Sequence, residues 1–167
     1  MRLNKEIMVT DYKTFPEDAK VWVFPSEKKI YKHEIEELEE KLTAFISKWT
    51  KNKENFEATF TIQYNRFIVI FASSEITIST ETTNELINFI ISLQTEYETE
   101  LMDKMNPCFK QGQYVQYKDL KEFKKLIKDK AVNKKNIVFD NTITNKFEFE
   151  NYWEVPASES WYGNLFK

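Results

Sequence analysis

The run Phe56-Glu57-Ala58-Thr59-Phe60-Thr61-Ile62-Gln63-Tyr64-Asn65-Arg66-Phe67-Ile68-Val69-Ile70-Phe71-Ala72 carries the strongest architectural signal in the chain. In its first half Phe56, Ala58, Phe60, Ile62 and Tyr64 alternate with Glu57, Thr59, Thr61 and Gln63, the period of a strand with one buried face. Phe67 to Ala72 is apolar on both faces, which places that strand centrally in a sheet. Two strands about the break Asn65-Arg66 predict a hairpin. A two-residue primed turn needs positive φ at both central positions. Asn65 tolerates this and Arg66 does not favour it, so a longer loop or a bulge would relieve the conflict.

On the N-terminal side, Val21-Trp22-Val23-Phe24 is a short buried strand stopped by Pro25-Ser26. Between His33 and Thr50, Ile35, Leu38, Leu42, Phe45, Ile46 and Trp49 fall at helical spacing opposite a glutamate-rich face. On the C-terminal side, Thr82 with Glu85 reads as a capping box ahead of a second helix through Leu86, Ile90, Leu93 and Leu101. Phe109 to Tyr117, with Gly112 inside it, is a weaker strand at a sheet edge or in a loop. Asp119 and Glu122 cap a third helix holding Leu120, Phe123 and Ile127, and Ile137-Val138-Phe139 is a strand ending at Asp140-Asn141. Phe147, Phe149 and Trp153 alternate with Glu148 and Glu150 as a last edge strand before an irregular tail from Pro156 to Lys167. The order predicts an α+β fold with a single antiparallel-rich sheet and helices packed on one face, a ferredoxin-like βαββαβ core with C-terminal additions. Residues 1–19 read as a lead-in segment and residues 20–167 as one domain that includes the aromatic-rich tail.

The 167 residues suffice for one domain that buries about 70% of its unfolded surface. Twenty-four Lys and Arg against 27 Asp and Glu give a net charge of −3, which argues against a nucleic-acid coat. Two glycines exclude a Gly-rich phosphate loop or dinucleotide fingerprint. One Cys and one His exclude a disulfide framework and a Cys/His zinc site within this chain. No cofactor or metal is therefore expected. Met1 to Glu6 lacks the apolar stretch of a secretory signal and no apolar run could span a bilayer, so cytoplasmic residence is expected.

Catalytic signals are weak. Cys108 and His33 are the only conceivable thiol–imidazole pair, and neither lies in a cysteine-protease signature. Glu36, Glu37, Glu39 and Glu40 read as a solvated helix face. Asp140-Asn141, at a strand end, is a better carboxylate candidate, or else an Asx turn that stops the strand. From Asp103 to Lys135 ten lysines face four acids, the minimum footprint of a single-strand or RNA surface, although arginine is missing there. An acidic partner surface, or this chain's own acidic helix, satisfies the charge equally well. Arg66 stands at a hairpin tip, either to grip a carboxylate or phosphate or to guard an apolar hairpin from aggregation. Trp153 and Trp161 flank Pro156 and are expected to fold back over the sheet as a lid, or to anchor a partner.

Several stretches also carry a resemblance: Phe15-Pro16-Glu17-Asp18-Ala19-Lys20-Val21-Trp22-Val23, Tyr64 to Ala72, Asp103-Lys104-Met105-Asn106, Cys108 to Leu120, and Glu154-Val155-Pro156-Ala157-Ser158-Glu159-Ser160-Trp161. Together they resemble a group of small Bacteroidota proteins that carry the label "ABC transporter ATPase". That label implies ATP handling. No position here matches the motifs it would need, since Gly112 and Gly163 are followed by Gln113 and Asn164 and no LSGGQ-type signature occurs.

The resulting expectation is an accessory or protein-interaction domain with a protein partner. Its candidate surface comprises Arg66, Lys110, Gln111, Gln113, Tyr114, Asp140, Asn141, Trp153 and Trp161. The alternative is a small-ligand or nucleotide-binding protein with Arg66, Lys110, Gln111, Asp140 and Asn141 in one cleft. A weaker alternative is RNA or single-stranded DNA binding through the lysines.

Overall fold

The computed structural model describes residues 10–167; residues 1–9 of the expected lead-in segment lie outside the described residues. Strands β1 (Lys20–Pro25), β2 (Phe56–Gln63) and β3 (Phe67–Ser74) form an antiparallel sheet in the order β1-β3-β2. The central position expected of Phe67–Ala72 holds. Helix α1 (Lys32–Thr50) links β1 to β2, which run in the same direction on either side of β3. That is a split βαβ unit.

After α2 (Thr80–Tyr97) the chain does not return beside β1. It builds a second antiparallel sheet from β4 (Cys108–Gln111), β5 (Tyr114–Tyr117), β6 (Ile137–Phe139) and β7 (Glu154–Pro156), in the order β5-β4-β6-β7. Helix α3 (Leu120–Lys128) lies between β5 and β6, and α4 (Lys146–Tyr152) between β6 and β7. The expected single sheet with helices on one face, and with it the ferredoxin-like core, is therefore corrected to two sheets.

The physical reason is in β1 and β3 themselves. Trp22, Phe24, Ile68, Ile70 and Ala72 point toward α1 and α2, into one core with Leu42, Trp49, Leu86 and Ile90. Val21, Val23, Phe67, Val69 and Phe71 point the other way, onto Cys108, Val115, Phe139, Phe149 and Trp153. A strand apolar on both faces needs cover on both, and the second sheet with α4 supplies the other half. The far face of that sheet, Phe109 and Val138, is closed in turn by Phe123 of α3 and by Ala157 and Tyr162 of the C-terminal segment. The layers run helices, sheet, sheet, helix and tail.

Three local expectations are also corrected. The segment through Phe147 and Phe149 is helix α4, because Asn145 Oδ1 accepts from the Glu148 amide at 2.9 Å while Glu148 Oε1 accepts from the Thr144 amide at 2.8 Å. Helix α2 is capped by Ser79, whose Oγ accepts from the Thr82 amide at 3.1 Å, rather than by Thr82. The tail is not irregular: it forms 3-10 turns at Ala157–Glu159 and Trp161–Phe166. Its anchor is Tyr162, whose hydroxyl donates to the Met105 carbonyl at 3.1 Å. Trp153 lies inside the inter-sheet core and Trp161 is 45% exposed, so the two tryptophans do not form a lid.

The chain ahead of β1 packs as well. Phe15 and Ala19 are buried, and the Tyr12 ring stacks on Phe71 at 4.6 Å. No helix among the described residues is long and apolar enough to cross a membrane.

Candidate functional site

The hairpin between β2 and β3 takes the longer loop that its residues call for. Gln63 pairs with Phe67, and Tyr64 and Asn65 both adopt left-handed backbone, φ 56° and 54°. Asparagine tolerates this; a tyrosine there is a strained residue held by its surroundings. Its ring sits 5.4 Å from Phe139 and its hydroxyl donates to Glu154 Oε2 at 2.6 Å. Lys110 Nζ pairs with Glu154 Oε1 at 2.5 Å and lies 5.0 Å over the Tyr64 ring. Burial, then the bond to Glu154, pushes the Tyr64 phenol up, and the same carboxylate raises the Lys110 ammonium. Neither group exchanges a proton near neutrality, so the cluster acts as a clamp between the sheets rather than as acid and base.

That loop aims Arg66 inward. The side chain is only 8% exposed, and it donates to three backbone carbonyls: Val115 at 2.8 Å through Nε, and Ser26 at 2.8 Å and Glu27 at 3.0 Å through Nη1. Burial pulls its pKa down, yet a guanidinium starts so far above neutrality that it remains charged. Arg66 is thus neither a solvent-facing guard of the hairpin nor a free anion fork. Its planar donors tie β5 and the β1–α1 connection to the hairpin.

The β1–α1 connection, residues 26–31, is fixed from every side. The Ile30 amide donates to Asn65 O at 2.8 Å, the Lys28 amide to Thr99 Oγ1 at 3.0 Å, and the Glu27 amide to Glu100 O at 3.0 Å. Two hollows flank this rigid loop. One, of about 250 Å³, has an apolar floor of Ile30, Leu38, Ile68, Leu93 and Leu101, with Lys28, Tyr31 and Thr99 at its mouth. The other is a polar groove of about 360 Å³ between the two hairpins, lined by Tyr64, Asn65, Arg66, Gln113, Tyr114 and Gln116. Lys29 borders both hollows and lies 5.5 Å over the Tyr114 ring.

Of the candidate residues read from sequence, Arg66, Gln113 and Tyr114 meet in the polar groove, and Lys110 reaches its Tyr64 wall. The others do not join them. Gln111 alternates with Lys110 along β4 and points to the opposite face of the sheet. Asp140 closes an Asx turn, accepting from the Thr142 amide at 3.0 Å and hydroxyl at 2.5 Å. Asn141 and Trp153 are interior: the indole N–H donates to Asn141 Oδ1 at 2.9 Å, and Asn141 Nδ2 contacts Cys108 Sγ at 3.6 Å. Trp161 lies on the outer helical layer with the tail. The five-residue cleft of Arg66, Lys110, Gln111, Asp140 and Asn141 is consequently not assembled.

Cys108 and His33 are apart as well. Cys108 is buried between the sheets, where burial pushes its thiol up to about 12, whereas His33 is exposed in the first turn of α1, stacked on Tyr31. Among the described residues no group of three or more His, Cys, Asp or Glu side chains is placed to hold a metal ion.

Sequence reasoning missed Lys29, Tyr64, Asn65 and Gln116, and the whole apolar hollow. The available signal was the turn conflict at Asn65-Arg66, which calls for a longer loop at this tip. The hollow had none, since its five floor residues come from two helices, one strand and two connections. No family model, curated protein or solved structure matches the chain.

Proposed function

We propose that this chain is an accessory, protein-interaction domain whose binding seat is the end formed by residues 26–31, the Tyr64–Arg66 loop and the β4–β5 turn. The supporting observation is the rigid loop that Arg66 holds through three carbonyls, with an apolar hollow on one side and a Tyr- and amide-lined groove on the other. Tyr31, Tyr64 and Tyr114 are exposed around it, and tyrosine provides interface area at small entropic cost. A partner segment would lie in the groove and seat an apolar side chain in the hollow. Partner co-purified from the native cell tests this. Tyr114→Ala with Lys29→Glu is expected to lose it, while Trp161→Ala retains it; the reverse pattern refutes the seat.

A second reading, a small-ligand or nucleotide-binding protein, draws support from the hollow's apolar floor under a lysine-bearing mouth. Thermal unfolding with nucleotides, with and without Mg²⁺, and with common metabolites tests it. A ligand at ~100 times its Kd adds about 2.7 kcal/mol, several degrees in Tm for a domain of this size. Leu93→Trp, which fills the hollow, should cancel such a shift.

A further inference from the structure

Helix α3 departs from the usual arrangement of surface charge. Lys121, Lys124, Lys125 and Lys128 stand at i, i+3, i+4 and i+7, so like charges adjoin along one stripe, which works against the helix. All four are exposed, as are Lys130, Lys134 and Lys135 in the following loop. Among the described residues none of these seven makes an ion pair. Of the acids nearby, Asp119 caps the helix and Glu122 reaches only Lys118, at 3.9 Å. The helix cannot turn its lysines away, because its other face is committed: Phe123 is fully buried, 5.3 Å from the Phe109 ring and 5.2 Å from Tyr162.

The opposite outer layer has the opposite sign. Residues 118–135 hold eight lysines and three acids, whereas α1 and α2 together hold eight glutamates and three lysines. The modest net charge of −3 therefore conceals a dipole across the layers. Near an extended anionic surface such a molecule turns α3 inward and keeps its acidic layer farthest away.

On the same outer layer as α3 stands Trp161, in the C-terminal tail. It is 45% exposed and packs at 4.1 Å on Tyr162, which rests on Phe123. An exposed tryptophan on the same outer layer as a lysine stripe suits the boundary of a bilayer, with the ring at headgroup depth and the ammonium groups among anionic headgroups. A strand of nucleic acid fits less well. Its phosphates and base edges favour arginine forks, and its bases need a series of aromatic platforms. Lysines are point charges on flexible stems, matched to a diffuse headgroup layer.

We infer that the α3 face is a peripheral docking surface for anionic lipid bilayers, with the lysine stripe as the electrostatic contact and Trp161 at headgroup level. It is independent of the binding seat at the hairpin end.

The test is co-sedimentation with phosphatidylcholine vesicles, either pure or containing roughly one-third phosphatidylglycerol. Trp22, Trp49 and Trp153 are each 7% exposed or less, so a soluble quencher reads Trp161. The wild-type chain is expected to sediment with the anionic vesicles alone, with blue-shifted and quencher-protected Trp161 emission, and to be released by high salt. Lys124→Glu/Lys128→Glu should weaken binding by roughly 30-fold or more, at an unchanged melting temperature. Trp161→Ala should bind more weakly and keep the salt dependence, and Tyr114→Ala should bind as wild type. Equal binding to neutral vesicles, no sedimentation, or indifference to the lysine reversals would overturn the proposal. So would tight, salt-sensitive binding to a single-stranded oligonucleotide with Trp161 unshielded by vesicles.

Discussion

The two sheets are held by different means. In the first, β3 pairs with β1 at six positions and with β2 at eight, and β1 and β3 bury apolar side chains on both faces. In the second, β4 meets β6 at the single pair Phe109 and Val138, and β6 meets β7 at three. Where the ladder is short, side chains take over: Arg66 on the Val115 carbonyl, the Trp153 indole on Asn141, and Glu154 between Lys110 and Tyr64. The first sheet rests on area and periodicity, and the second on a few directed polar contacts. Area tolerates small losses, whereas directed contacts fail one at a time.

The largest expected effect lies where the two sheets meet. Phe71→Ala removes a fully buried ring stacked by Tyr12 and edged by Phe149 at 5.3 Å, so it should cost about 3–5 kcal/mol in denaturant unfolding. Both sheets should unfold together in that variant; separate transitions would show that they do not share one cooperative core.

Arg66→Met should act unevenly. It leaves three carbonyls without their donor, at a cost of about 2–4 kcal/mol, since each orphaned buried group costs ~1–3 kcal/mol and water from the groove reaches some of them. Hydrogen exchange should rise first in β5 and residues 26–31, with β1 to β3 still protected. Arg66→Lys should not restore protection, because an ammonium lacks the planar fork. Uniform loosening of both sheets would contradict the division of labour.

The smallest effect at neutral pH concerns Cys108. Burial raises its thiol from 9.0 to about 12, so the folded chain keeps a proton that the unfolded chain releases. Stability is therefore intact below about pH 9 and falls as pH rises toward 12, by about 1.4 kcal/mol per unit from this group. The phenols of Tyr64, Tyr117 and Tyr162, also raised by burial, act in the same direction. At pH 7 a thiol reagent should label Cys108 only when the second sheet opens. Labelling faster than exchange of the β4 amides would mean that the thiol is reachable in the closed fold.

This division also marks what could be read from the residues. The hairpin Phe56–Ala72 and helix α1 were legible because their periods are long and uninterrupted. The second sheet was not, as its strands are three or four residues long and show almost no alternation. Alternation misled at Phe147, Phe149 and Trp153, where Asn145 with Glu148 was the better guide to a helix. The apolar character of Phe67–Ala72 on both faces already required a layer on each side, which one sheet with helices on one face could not supply. In the polar groove at the hairpin end, Arg66, Gln113 and Tyr114 were found by residue type. The inward turn of Arg66 was not legible, because it follows from left-handed backbone at Tyr64 and Asn65.

The split βαβ unit has a consequence for synthesis on the ribosome. Everything the first sheet needs for pairing has been made once Ser74 is added, but the cover for Val21, Val23, Phe67, Val69 and Phe71 extends to Trp153. At roughly 5–20 residues per second, that stretch takes on the order of 4–16 s to emerge. During this interval a nascent chain with a finished sheet presents a bare aromatic and β-branched face, the kind of surface that chaperones hold and that neighbouring nascent chains adhere to.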